Sequence, residues 1–341
     1  MTRPLLFLLL AAVAVPAVHA QGAGAFSRMG MGARSLSVGG QVADVTGQAS
    51  AFQNPALAPF QPGQGVELTS GLLSFGRQWE AVQVGAPLRP RSGVVAGVIH
   101  GGVSDIDGRD PDGQPTGTLS TDEYAFFAAF GARLTQRVSG GLGLRIYRNA
   151  LLEGSQPPTA LGVSLGLVRR VSDRLSVGLV VDDLFARYEW NLATVGGGST
   201  TDYFPTRITA GTAYSLGVTA EGRPRGVVSA DVEWTVQKAE SVQPGGVLVV
   251  GGTTAPRDTT LDFSLASVQG RLGGEVWLAD AFALRAGVDR LDPGELGASR
   301  PSVGFALRRR FDELDLRVDY AAVLEPYAVG VMHMATVRLG L

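Results

Sequence analysis

"VSADVEWTVQ", residues 228–237, is the stretch on which the fold turns. Val228, Ala230, Val232, Trp234 and Val236 alternate with Ser229, Asp231, Glu233, Thr235 and Gln237. A period of two places the first set on one face of an extended strand and the second on the other. The pattern recurs. Phe282, Leu284, Ala286 and Val288 alternate with Ala283, Arg285, Gly287 and Asp289, and Leu314, Leu316, Val318 and Tyr320 oppose Glu313, Asp315, Arg317 and Asp319. From Gly65 onward the period-two template predicts about fourteen strands. They cover 65–75, 78–88, 92–102, 122–134, 137–148, 158–171, 175–187, 205–216, 225–238, 268–279, 281–290, 301–310, 313–323 and 329–341.

The connections alternate in length. Those after the third, fifth, seventh, ninth and eleventh windows are long, such as VSDIDGRDPDGQPTGTLST, YEWNLATVGGGSTTDYF and residues 239–267, whereas RPR, SDR, Asp280 and FD follow even-numbered windows. In an up-and-down sheet this puts the long loops at one end. A soluble sandwich also alternates, but its polar face meets water and carries charge freely. Here that face holds mixed charges among Gly, Ala, Ser and Thr, which fits a narrow lumen with the apolar face turned to lipid. The last strand, MATVRLGL, is expected to close the sheet on the first, because an open edge would leave backbone groups unpaired. The expected fold is all-β: an antiparallel transmembrane β-barrel of about 14 strands with a small N-terminal plug.

Residues 1–20 have a basic Arg3, an apolar run from Leu5 to Val15 and a small-residue exit, the pattern of a signal peptide cleaved after Ala20. The absence of cysteine excludes disulfides, thiolate catalysis and Cys-ligated metals. A net charge of −2 offers nucleic acid no basic footprint. Gly is abundant, at 47 of 341 residues, and lies within strand-like segments, as suits a curved sheet. The segment 21–64 is the expected plug or hatch and 65–341 the barrel; Asn54 and Pro55 suit the cap and first residue of a helical turn. A periplasmic tail is the alternative for the same residues.

Three patterns suggest chemistry. Gly162-Val163-Ser164-Leu165-Gly166 spells G-x-S-x-G, but in the middle of a strand window, where no nucleophile elbow forms, and only His100 or His333 could serve as base. Asp105, Asp107, Asp110 and Asp112 could supply oxygen ligands to calcium but lack EF-hand spacing, and such clusters are mostly turn chemistry. Arg145, Arg207, Asp231, Glu233, Arg271, Glu275, Arg285, Asp289, Asp315, Arg317, Asp319 and Arg338 are the expected lumen charges, paired with one another. No catalytic residue, metal or cofactor is expected.

"GARSLSVGGQVADVTGQASAFQNPALAPF", residues 32–60, resembles the N-terminal signature of the PorV/PorQ proteins, relatives of the FadL outer-membrane transporters. The shared positions are Gly32, Ala33, Arg34, Gly39, Gly40, Asn54, Pro55 and Ala56; Gly47-Gln48 stand where the family has an acidic pair. FPTRITAGTAYSL (204–216), GGEVWLADAFALRAGVDR (273–290) and VDYAAVLEPYAVGVMHMATVRLGL (318–341) are similar to later strands of that family. The resemblance implies an outer-membrane barrel whose periplasmic mouth holds the N-terminal segment, and no enzymatic activity. It also implies a part in type IX protein secretion or in surface attachment of exported proteins. The partners would then be membrane lipid and, through the long extracellular loops, exported proteins or secretion components; the apolar GGVLVVGGTTAP (245–256) favours such a surface. The wider FadL relationship implies instead passive passage of a hydrophobic solute.

Overall fold

The computed structural model describes residues 22–341 except 48, 111, 152–155, 192–198, 218–224, 244–246, 251–252, 257–258, 280 and 293. The signal-like residues 1–20 therefore lie outside the described residues, as do Gln48 and the four glycines of GGVLVVGGTTAP. The strands are β1 Gly65–Leu72, β2 Arg77–Leu88, β3 Ser92–Arg109, β4 Pro115–Arg133, β5 Val138–Ala150 and β6 Thr159–Arg170. They continue with β7 Leu175–Leu184, β8 Arg187–Asn191, β9 Ser199–Tyr203, β10 Thr206–Ser215, β11 Gly226–Gln243 and β12 Val247–Val250. The last six are β13 Thr253–Pro256, β14 Thr259–Ala279, β15 Phe282–Leu291, β16 Arg300–Phe311, β17 Leu314–Leu324 and β18 Val331–Gly340.

Fourteen of these close an antiparallel barrel, β1-β18-β17-β16-β15-β14-β11-β10-β7-β6-β5-β4-β3-β2; β8–β9 and β12–β13 form separate hairpins. Closure pairs Gly65 with Gly340 and Leu72 with His333, so the first strand satisfies the edge of the last. Each of the fourteen sequence windows corresponds to one wall strand. The alternation is that of a lipid-facing wall: Val232, Leu272, Leu284 and Val303 are exposed on the outer surface, while Arg145, Glu275, Arg285 and Asp319 are buried inside. A soluble protein would spend such an outer band on a core, whereas an apolar band around a closed barrel is the surface that lipid covers.

The strands overrun the windows in two places. VSDIDGRDPDGQPTGTLST is mostly ladder, with β3 and β4 paired out to Arg109 and Pro115, and residues 239–267 contain the far ends of β11 and β14, paired from Gln243 to Thr259. Hydrophobic alternation marks only the part of a strand with an apolar side, whereas backbone pairing continues wherever two chains run alongside. Beyond Val103 only Ile106, paired with Leu119, interrupts a run of polar residues and glycine, so the alternation ends before the strand does. YEWNLATVGGGSTTDYF likewise holds β8 and β9, and GGVLVVGGTTAP holds β12 and β13. The short turns 89–91, 134–137, 171–174 and 312–313 share one end of the barrel with Gly65 and Leu341.

Candidate functional site

The segment before β1 lies inside the barrel. It contains a 3-10 turn at Ala25–Met29, helix α1 at Gly32–Val38 and a second 3-10 turn at Pro55–Phe60. Asn54 Oδ1 accepts the Ala56 N–H at 3.0 Å, and its Nδ2 donates to the Val42 carbonyl at 2.7 Å. With Pro55 at the first helical position, the cap and the rigid φ that follows it start the turn. All eight signature positions are placed against the wall. The Ala33 N–H donates to Thr336 Oγ1 at 2.8 Å, Gly32 sits beside Glu67, and Gly40 packs on Asp231. Gly39 takes φ +77 with the Leu272 carbonyl where a Cβ would stand, so both its conformation and its space require glycine. Pro55 and Ala56 press on the wall at Gly141, whose own Cβ would lie 2.3 Å from the Pro55 carbonyl carbon.

That contact corrects the account of glycine as a device for sheet curvature alone. Gly93, Gly131, Gly141, Gly166, Gly178 and Gly273 all face the N-terminal segment, and a Cβ on Gly273 would meet the Val38 carbonyl oxygen at 2.1 Å. The wall is thinned where the segment's backbone touches it. Sequence periodicity carries no such information, because a glycine bend and a glycine contact look alike.

Two ladders of charge cross the lumen. In the lower one Arg34 Nη2 meets Asp44 at 2.8 Å and Arg34 Nε meets Glu275 at 3.2 Å; Glu275 then pairs with Arg285 at 2.6 Å, Arg285 with Asp319 at 2.6 Å and Asp319 with Arg317 at 2.7 Å. Burial works against the charge on Arg34, but Glu275 and Asp44 outweigh it and raise its pKa. In the upper ladder Asp183 pairs with Arg145 at 3.2 Å and with Arg207 at 3.0 Å. Glu233 meets Arg271 at 2.8 Å, Arg271 meets Asp289 at 2.8 Å, and Asp289 also holds Arg300.

Asp231 accepts the N–H groups of Gln41 at 2.7 Å and Val42 at 3.3 Å, Asp315 accepts from Arg308 at 2.7 Å near the short-turn rim, and Arg338 lies beside Arg317 and Glu67. Sequence reasoning missed Asp182, Asp183 and Arg300, which carry much of the upper ladder. The adjacent acids Asp182-Asp183 break the alternation of their window, which was the available signal; Asp183 takes φ +60 and both carboxylates are buried.

Above the Ala25–Met29 turn, toward the long connections, a cavity of about 450 Å³ opens. Phe26, Met29, Leu73, Trp79, Leu151 and Met332 give it an apolar side; Arg28, Glu123, Arg290 and Arg300 give it a charged one. Trp79 Nε1 donates to the Phe26 carbonyl at 3.0 Å, which fixes the floor to the wall. Opposite Arg271 the β14–β15 pairing slips, and Arg290, at φ +54, turns into the cavity instead of continuing the outward row. Arg28 is held in the lumen by the carbonyls of Ala23 and Gly22, and burial together with the Arg207 charge lowers its pKa.

The remaining sequence motifs separate in space. Ser164 is buried and faces inward, whereas His100 and His333 face outward, so a wall of strand lies between the serine and either imidazole. His100 bridges Glu80 and Asp122, each at 2.8 Å, and His333 meets the Tyr320 hydroxyl at 2.6 Å. In the aspartate-rich stretch, Asp107 pairs with Arg109 at 2.7 Å, and Asp110 accepts the N–H groups of Asp112 at 3.0 Å and Gln114 at 2.8 Å. Among the described residues no cluster of three His, Asp or Glu side chains is placed to hold a metal.

No family model matches the chain, and no curated protein matches it in sequence. Solved structures do match in fold. The Ralstonia pickettii toluene transporter TbuX is similar with a TM-score of 0.56 at 14% identity, covering 91% of this chain and 97% of that one. The Pseudomonas putida toluene transporter TodX is similar at 0.53 and 14% identity, covering 91% and 96%. A Pseudomonas aeruginosa FadL homologue is similar at 0.50 and 13% identity, covering 85% and 92%. The chain thus has the FadL-like fold of a 14-stranded antiparallel barrel with a short N-terminal helical segment.

Proposed function

We propose that the chain sits in the bacterial outer membrane and admits a small hydrophobic molecule passively from the outside, with residues 21–64 as the plug that keeps the lumen closed. The cavity of about 450 Å³ above the Ala25–Met29 turn is the observation that carries this reading. Its size falls in the range of small-molecule pockets, and its apolar side with a few polar groups opposite is the usual composition of such a site. Among the described residues the two charge ladders and the seated N-terminal segment occupy the lumen beneath it, which supports entry of a solute by partition over bulk flow. The barrels of similar fold named for toluene transport support a monoaromatic hydrocarbon as the first compound to try. Nothing here requires a catalytic step.

The test is uptake. Cells carrying the chain should accumulate labelled toluene faster than cells carrying an empty vector, and Met332→Trp, which fills the cavity, should reduce the gain. Equal accumulation in all three strains, with folded barrel present in the membrane, would remove the transport reading.

A second reading is a PorV/PorQ-like component of type IX secretion or surface attachment. It draws on the signature at 32–60 and on the outer hairpins, since β3 and β4 run on past Val103, where β2 no longer accompanies them. Projecting hairpins offer backbone edges on which an exported protein could add a strand. Loss of particular surface proteins from a deletion strain, with toluene uptake unchanged, would favour it.

A further inference from the structure

The short-turn rim of the barrel is not neutral. Three neighbouring segments read RPR (89–91), RLTQR (133–137) and RRVSDR (169–174), and Asp173 is the one acid among them. They are adjacent in space as well. The Arg133 N–H donates to the Arg91 carbonyl at 2.8 Å, and the Arg170 N–H donates to the Arg137 carbonyl at 2.8 Å. The Arg133 and Arg170 guanidiniums lie over the Phe60 ring, 4.8 Å and 5.0 Å from its centroid. Arg91, Arg133, Arg137, Arg169 and Arg174 are exposed, and among the described residues none of the arginines in these three segments forms an ion pair. Elsewhere the rim balances itself: in the β16–β17 connection Asp315 holds Arg308 and stands near Arg310, with Asp312 and Glu313 beside them.

From this we infer that the arc from β2 to β7 is a binding site for the phosphate headgroups of anionic phospholipids in the periplasmic leaflet. The level is set by β6, whose outward row reads Leu161, Val163, Leu165, Leu167 and then Arg169. A guanidinium that ends a lipid-facing row belongs where hydrocarbon gives way to headgroups. Leu134, 63% exposed at the start of its turn, and the exposed Val171 add apolar side chains between the arginines at that level. A protein partner would leave these two in water whenever it dissociated, whereas lipid covers them permanently. Guanidinium is also the group best shaped to grip phosphate through paired N–H donors. Short turns mark the periplasmic end of such barrels, and the leaflet there is phospholipid.

The inference rests on the outer-membrane reading above but not on solute transport, and lipid selectivity and toluene uptake report on the two separately. The probe is an equimolar mixture of phosphatidylglycerol and phosphatidylcholine offered to the folded full chain in detergent, read as lipid adducts by native mass spectrometry. Each basic residue near a charged lipid surface is worth about a five-fold change in partition. The parent should therefore carry phosphatidylglycerol over phosphatidylcholine by about ten-fold or more. The triple variant Arg137→Gln/Arg169→Gln/Arg174→Gln, which spares the arginines touching Phe60, should fall to within about two-fold of parity. Lysine at the same three positions should restore most of the preference, and Arg308→Gln/Arg309→Gln/Arg310→Gln should leave it unchanged. Parity in the parent overturns the proposal, even if the rim is found to hold an acidic protein. So does an undiminished preference in the glutamine variant; should that variant not fold, Arg137→Gln and Arg174→Gln singly are read by the same ratio.

Discussion

Replacing Arg34 with Met tests what holds the N-terminal segment in the lumen. The guanidinium is 4% exposed and links Asp44 of the segment at 2.8 Å to Glu275 of the wall at 3.2 Å. Glu275 keeps Arg285 at 2.6 Å after the change, so it is not stranded. Asp44 retains the Thr46 N–H at 2.9 Å on one oxygen, but its other oxygen loses its cation in a site that is 1% exposed. Removing one member of a buried pair costs about 3–5 kcal/mol, and with Glu275 still satisfied the lower end, about 3, applies. Free energy of that size shifts the equilibrium between seated and unseated segment by a factor of about 150. In planar bilayers Arg34→Met should open far more often than the parent. The wall's own ladders are untouched, so the variant should still resist unfolding in detergent without boiling. Adding Asp44→Asn should return most of the closure, since a neutral amide no longer needs the lost cation. Conductance in Arg34→Met equal to the parent's, or a double variant as leaky as the single one, would refute this account of the anchor.

Val232→Arg on the outer face should destabilise the barrel by about 2–4 kcal/mol at the bilayer midplane, whereas Thr235→Arg, which lines the cavity, should be far milder; urea titration in lipid vesicles separates them. Gly141→Val should unseat the Pro55 turn, because its Cβ has backbone 2.3 Å away, and should raise conductance while the barrel still migrates as folded on unboiled gels. Glu325 ties the β17–β18 connection to the β1–β2 turn through the Ser74 N–H at 2.8 Å and through Arg77. Burial opposes its charge, but those partners prevail and lower its pKa. The tie is therefore whole above the ordinary glutamate value of about 4.3 and is lost as pH falls through the lower folded value. Hydrogen-exchange protection at residues 73–76, taken relative to the intrinsic rate at each pH, should fall with acid in the parent and be low at every pH in Glu325→Gln.

Much of the wall is legible in order of residues alone, because a strand with one side in lipid and one in a lumen must alternate, and Val228 to Gln237 do so whatever they pair with. The long and short connections then order the strands without any knowledge of contacts. The charges on the inner face, from Arg145 to Arg338, follow from the same alternation. Legibility stops where alternation stops. The outer ends of β3, β4 and β11 carry no regular alternation, and only a neighbouring backbone makes them strands; the outer end of β14 does alternate, Leu261, Phe263 and Leu265 with Thr260, Asp262 and Ser264, but its window begins only at 268.

Local sequence determined the period and, along the regular strands, the side of the wall on which each residue falls, since these depend on neighbours one and two places away. Tertiary structure alone decided which charges meet. Arg34 and Glu275 are far apart along the chain yet stand 3.2 Å apart, and Arg290 points inward only because a slipped pairing opposite Arg271 turns it. The thinning of the wall at Gly141 and Gly273 belongs to the same class. A glycine's value there is the volume it leaves for another segment's backbone, and that volume exists only once the barrel has closed around its own N-terminal chain.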